Sequence, residues 1–238
     1  MSTIAHKLQA VDETIQAAIK ASGRAPGTVQ LLAVSKTFPA GAVLEAVAAG
    51  QRAFGENYLQ EGIDKIAAVG AALPGEAIEW HFIGPIQSNK TRPIAASFAW
   101  VHTVERLKIA QRLSEQRPDD LPPLNICLQV NISGEASKSG ATPEELPELA
   151  RQVAALSRLK LRGLMAIPEP ETDVSKQRAA FARVRMLFDQ LRADGFDLDT
   201  LSMGMSADLE AAIAEGATIV RVGSAIFGAR NYDNKDKA

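Results

Sequence analysis

Lys36 stands two residues beyond a short apolar run, residues 29–34, and that placement is the first sign of chemistry in the chain. Side chains alternate along a strand, so Leu32, Val34 and Lys36 share one face, while Leu31, Ala33 and Ser35 share the other. One of the two parities points Lys36 inward. A lysine among apolar walls, or beside another cation, gives up its proton more easily, and a neutral amine attacks a carbonyl to form a Schiff base. The competing reading is a solvated loop lysine. A second constellation lies near the carboxyl end of the chain, in Met203-Gly-Met-Ser206 and Arg221-Val-Gly-Ser224. Glycines there let backbone N–H groups approach an anion, Ser206 and Ser224 add hydroxyl donors, and a helix beginning after Ser206 would aim its positive end at a phosphate. Ser206 could equally be an N-cap and Gly223 a turn closure. Ile219, Arg221 and Gly223 alternate with Val220 and Val222, so two outward valines turn Arg221 inward. Beside a ring nitrogen a guanidinium can only donate, which favours the unprotonated ring; the alternative is an interior ion pair with a carboxylate.

These residues need a scaffold, and the hydrophobic pattern supplies one. Ile4, Leu8, Val11, Ile15 and Ile19 recur at helical spacing behind Ser2 and Thr3, predicting an opening helix within residues 1–24 that stops at Gly23 and Pro26. Strand-like segments follow at 29–34, 52–54, 78–83, 98–101, 124–130, 161–165, 198–202 and 219–222. Helical stretches at 42–49, 58–69, 104–116, 143–156, 174–193 and 207–215 separate most of them, and the segment after Ile83 carries a weaker helical signal. Strands that alternate with helices pair in parallel, because each crossover helix returns the chain to the same edge. Eight such units predict an α/β fold, a TIM-type (β/α)8 barrel over residues 29–230, with 231–238 as a solvated tail of a single domain spanning 1–238. An open doubly wound sheet would more often carry a glycine-rich phosphate turn after its first strand, and Ala33-Val-Ser-Lys-Thr37 has no glycine. In a barrel, the carboxyl ends of the strands gather the functional residues, which places both Lys36 and the two phosphate motifs at one mouth.

Composition narrows the partners. The 26 Lys and Arg against 28 Asp and Glu give a formal charge of −2, without the basic excess that nucleic-acid binding requires. Cys127 is the only cysteine, so no intrachain disulfide forms. No apolar stretch approaches the ~18–20 residues of a membrane span, and the first residues lack the apolar core of a signal peptide, so the expectation is a cytoplasmic protein that does not enter membranes.

In order and spacing, Ala33-Val-Ser-Lys-Thr37, Phe54-Gly-Glu-Asn-Tyr58, Trp80-His-Phe-Ile-Gly84, Gln87-Ser-Asn-Lys90, Leu201-Ser-Met-Gly-Met-Ser206 and Val220-Arg-Val-Gly-Ser-Ala-Ile-Phe-Gly228 resemble the pyridoxal-phosphate homeostasis proteins. Those are small barrels related to the amino-terminal barrel of alanine racemase, and the similarity runs from about Leu31 to Tyr232. The resemblance implies that Lys36 carries pyridoxal 5′-phosphate as a Schiff base, that Ser206, Gly223 and Ser224 hold its phosphate, that Arg221 faces the pyridine nitrogen and that Asn57 lies beside the ring. It also brings Met165 and His81 toward the mouth, each with a purely structural alternative, and leaves Lys138 as a loop lysine that could approach the ligand. No metal and no catalytic residue is implied. A racemase of the related family adds a second domain with a catalytic tyrosine; here Tyr58 reads as packing and Tyr232 as a terminal contact. The expected function is therefore a carrier or buffer of the cofactor, acting as a monomer and exchanging it with apoenzymes or amino acids. A low-activity amino-acid racemase, a Schiff-base lyase acting on a sugar phosphate and a cofactor-sensing regulator are the alternatives.

Overall fold

The computed structural model describes residues 2–133 and 139–229. Its first element, α1 (Thr3–Ala21), begins where Ser2 Oγ accepts from Ala5 N at 3.2 Å and buries Leu8, Val11, Ile15 and Ile19 along one stripe. The chain then enters β1 (Gln30–Val34) and alternates through α2 (Ala40–Ala48), β2 (Ala53–Glu56), α3 (Leu59–Ala72) and β3 (Glu79–Phe82). A 3-10 turn at Ser88–Lys90 leads into α4 (Thr91–Ser97), the helix that the sequence signals only weakly. The remaining elements are β4 (Trp100–Val104), α5 (Leu107–Glu115), β5 (Leu124–Gln129), α6 (Leu146–Ala154), β6 (Leu159–Met165), α7 (Val174–Ala193), β7 (Thr200–Ser202), α8 (Leu209–Ala214), β8 (Ile219–Val222) and α9 (Ser224–Phe227).

The eight strands pair in parallel in chain order, and β8 closes on β1 with Leu32 opposite Arg221 and Ala33 opposite Val222. The expected (β/α)8 barrel with an added amino-terminal helix is the observed fold. Strand parity sorts the side chains into two cores. Ala33, Phe54, Val101, Ile126, Leu128, Val220 and Val222 pack outward into the large apolar layer shared with the helices. Leu32, Ala53 and Ile219, with Ile83 against them, and Trp100, Cys127 and Met165 form two smaller interior clusters. Among the described residues, no helix is long and apolar enough to cross a membrane.

Boundaries shift where helix ends and caps claim backbone groups. The fourth strand is expected at 98–101 but occupies Trp100–Val104, because Phe98 N donates to Ile94 O at 3.2 Å to close α4 and its ring packs edge-on against Phe82. The strand's length through Val104 delays α5 to Leu107. Before α6, Thr142 and Glu145 exchange backbone and side-chain hydrogen bonds at 3.0 and 3.3 Å, a capping box that sets the entry to the helix.

Candidate functional site

Lys36 lies in the loop that follows β1, and its two neighbours are pinned. Ser35 is fully buried; its Oγ donates to Glu56 Oε1 at 2.6 Å. Lys65, from α3, donates to Ser35 O and to Glu56 Oε1, both at 2.6 Å, and pairs with Glu61 Oε1 at 2.8 Å. Glu61 Oε1 also accepts from Thr37 N at 2.5 Å. Thr37 has φ +69°, a left-handed conformation that costs a non-glycine residue about 1–2 kcal/mol, so the contact with Glu61 holds a strained turn just past the lysine. Burial pushes the Glu56 carboxyl up, and the Lys65 ammonium pulls it back down.

The other side of the mouth is built by β2, β7 and β8. Gly84 lies so close to the Asn57 backbone that a Cβ there would come within 2.1 Å of Asn57 O; the missing side chain lets the β3 end press Asn57 toward the mouth. Asn57 Oδ1 is buried without a hydrogen-bond partner among the described residues. Gly204, at φ +95°, turns the chain above α8, where a Cβ would meet Ala212 Cβ at 2.5 Å. Asp208 Oδ1 accepts from Met205 N at 2.6 Å instead of capping from the Ser206 position, so α8 starts at Leu209 and not at 207. Ser206 is thereby left exposed and is not the N-cap.

These elements enclose a cavity of about 290 Å3 at the carboxyl ends of the strands. Lys36, Asn57, Ser206, Arg221, Gly223 and Ser224, the six residues expected to hold the cofactor, all line it. Val34, Ile83, Met165 and Ile167 supply its apolar walls. Arg221 is only 5% exposed, and its guanidinium donates to Ser202 O at 2.6 Å, Ser202 Oγ at 2.8 Å and Ala166 O at 3.0 Å. Its partners are neutral oxygens, unlike the interior ion pair weighed from the sequence. Burial lowers its pKa to about 10, which leaves it cationic at neutral pH.

Met165 both lines the cavity and packs on Trp100 and Cys127. Of the two places weighed for His81, the structure shows the structural one: Ile83, just past the end of β3, occupies the mouth, and His81 sits a layer below it, fully buried. Tyr58, expected to pack, is half exposed at the entry to α3. Lys138, Tyr232 and the tail lie outside the described residues. Sequence reasoning missed Glu56, Lys65, His102 and Ser202. Of these, Glu56 and Ser202 lay in quoted motifs, Glu56 between Gly55 and Asn57 and Ser202 between Leu201 and Met203.

The family described as "Alanine racemase, N-terminal domain" matches residues 7–231. A pyridoxal phosphate homeostasis protein from Pseudomonas aeruginosa is 66% identical over 232 residues, 98% of each chain. Its counterpart in Escherichia coli K12 is 55% identical over 235 residues, 99% of this chain and 100% of that one. Among solved structures, PipY of Synechococcus elongatus PCC7942 with pyridoxal phosphate bound superposes with a TM-score of 0.82 at 37% identity, covering 94% of this chain and 100% of that chain. An alanine racemase from Clostridium difficile shares the fold alone, with a TM-score of 0.71 at 15% identity over 94% of this chain and 58% of that one. The barrel and the similarity along nearly its whole length place the chain in the pyridoxal phosphate homeostasis protein family, on the alanine racemase amino-terminal domain.

Proposed function

We propose that this protein captures pyridoxal 5′-phosphate reversibly on Lys36 and acts in the cytoplasm as a carrier or buffer of that cofactor, without substantial catalysis of its own. The observation that carries the reading is the convergence of Lys36, Arg221 and the Ser206, Gly223 and Ser224 group on one cavity. The donor set fits the ligand. Ser206 and Ser224 are exposed hydroxyls at the mouth, suited to a phosphate that solvent also reaches. Arg221 supplies a buried cation on the cavity floor, and Asn57 Oδ1 is a buried acceptor awaiting a donor. The homologous PipY structure contains the same cofactor.

In this reading Lys36 Nζ, in its neutral form, bonds to the aldehyde carbon and one water molecule leaves. When bound, the cofactor supplies an electron-withdrawing ring able to stabilise a carbanion, most effectively with its ring nitrogen protonated. Arg221 is arranged to work against that protonation, since a cationic guanidinium has only protons to offer. The site residues therefore favour holding the aldehyde over driving chemistry through the ring. A second cavity of about 530 Å3 shares Asn57, Ile83 and Ile167 with the first and gives an incoming amine, from an amino acid or an apoenzyme lysine, a route to the linkage.

Titration of the wild type and of Lys36→Ala with the vitamer tests the assignment. The wild type gains a visible band that borohydride fixes; the variant, with an unchanged far-ultraviolet spectrum, gains none. Borohydride-fixable cofactor retained at another site in the variant refutes it. Deuterium exchange at the α-carbon of an amino acid at enzymatic rates replaces the carrier reading with a racemase.

A further inference from the structure

Below the cavity, the barrel interior holds a line of polar side chains that capture on Lys36 does not use. Arg221 Nη1 lies 2.8 Å from Ser202 Oγ, and Ser202 Oγ lies 2.8 Å from His102 Nδ1. His102 Nε2 is 2.8 Å from His81 Nδ1, and His81 Nε2 is 2.9 Å from Glu79 Oε1. Ser202, His102 and His81 are fully buried, whereas the Glu79 side chain, at the amino-terminal end of β3, is 41% exposed. The line thus joins solvent at the amino-terminal end of the barrel to the floor of the cavity at the other.

Its ends give it a direction. A guanidinium only donates, and an ionised carboxylate only accepts. His81 must therefore carry a proton on Nε2 for Glu79, and a neutral His81 then accepts at Nδ1 from His102 Nε2. A neutral His102 accepts in turn at Nδ1 from the Ser202 hydroxyl, whose oxygen accepts from Arg221. Every link is satisfied with both imidazoles neutral, and a flipped tautomer in either ring sets proton against proton or lone pair against lone pair. Burial favours the neutral form of both rings, and the hydrogen bond from His81 holds the Glu79 carboxyl down at about 2. His102 is faced by His81 and Arg221, His81 by Glu79, and Arg221 by Cys127 from β5 and Asp208 from the turn before α8.

We infer that Glu79, His81, His102 and Ser202 are positioning residues for Arg221: a one-way hydrogen-bonded line fixes the guanidinium on the cavity floor and couples it to a carboxylate at the opposite end of the barrel. The role toward the vitamer rests on the function proposed above, while the direction of the line stands on the cofactor-free protein.

Two measurements test it. Ring 15N spectra of the cofactor-free protein show His81 and His102 protonated at Nε2 alone and unchanging between about pH 5.5 and 8.5. In the vitamer-loaded protein, Glu79→Gln moves the pH response of the visible band down by about half a unit. Glu76→Gln, at an exposed carboxylate paired with Arg52, leaves it in place. In a Ser202→Ala background the Glu79→Gln shift falls at least about twofold, which a purely structural or through-space role does not produce. An Nδ1–H tautomer in either ring, a ring titrating within that range, or a Glu79→Gln shift that survives Ser202→Ala undiminished overturns the inference. A wild type that gains no visible band refutes the function proposed above, and the ring spectra then decide the direction of the line alone.

Discussion

Replacing Lys65 with methionine keeps a long unbranched side chain and removes a charge that the loop of Lys36 depends on. The Lys65 side chain is 5% exposed, and its ammonium meets Ser35 O, Glu56 Oε1 and Glu61 Oε1 at 2.6, 2.6 and 2.8 Å. Without it, Glu56 has no counterion, and its carboxyl, already pushed up by burial, rises further. Breaking a buried pair on one side costs about 3–5 kcal/mol. Glu61, whose side chain is 21% exposed, regains water and brings the expectation toward the lower figure. For a chain of 238 residues this corresponds to a fall in Tm of roughly 10 °C, read by circular dichroism. The strained turn at Thr37 also loosens, so borohydride trapping of the vitamer slows by about tenfold, as expected for roughly 1.4 kcal/mol of lost positioning. In Lys65→Met/Glu56→Leu, an apolar pair replaces the ionic one and recovers most of the Tm. Trapping stays slow, because the Ser35 carbonyl still lacks the ammonium. A single variant melting within about 2 °C of wild type, or a double variant that regains trapping with stability, refutes the reasoning.

Three further outcomes follow from the titratable groups of the barrel interior and its rim. His81 and His102 have folded-state pKa values below that of a free imidazole, chiefly through burial, so their contribution to stability is complete above about pH 6.5 and is lost as pH falls. Urea unfolding should show stability declining between about pH 6.5 and 5 by up to about 1.4 kcal/mol per pH unit for each ring, and a flat profile contradicts their buried neutral state. Glu79, held at about 2, adds stability present above its unfolded value and lost as pH falls from about 4.5 toward 2; Glu79→Gln removes that acid-side slope. Cys127 is fully buried, and burial pushes its thiol up to about 12, so alkylating reagents should modify it only as the protein unfolds. Rapid labelling of the native state contradicts this.

The strand order and the inward parity of Lys36 and Arg221 are legible in the sequence because each depends on local alternation: Leu32 and Ile219 fall on the interior face, and Ala33 and Val222 on the helix-packed face. The supports of the site are not. Lys65 lies 30 residues from Ser35 and 9 from Glu56, so nothing local marks the three as one cluster. His102 and Thr103 follow Val101 as polar residues that suggest the end of a strand, whereas the barrel interior accepts them because His102 finds His81 and Ser202, and Thr103 finds Gly84 O at 2.6 Å. His81 misleads for a related reason: without the register, nothing shows that Ile83 takes the mouth.

The central claim is that the Lys36 amine binds the vitamer aldehyde. Its most direct test is the intact mass of the wild-type protein, incubated with pyridoxal 5′-phosphate and measured before and after borohydride reduction, with the modified peptide sequenced. One reduced pyridoxyl-phosphate group per chain on the peptide containing Lys36 is the predicted result; an unmodified chain, or a label on any other lysine, contradicts it.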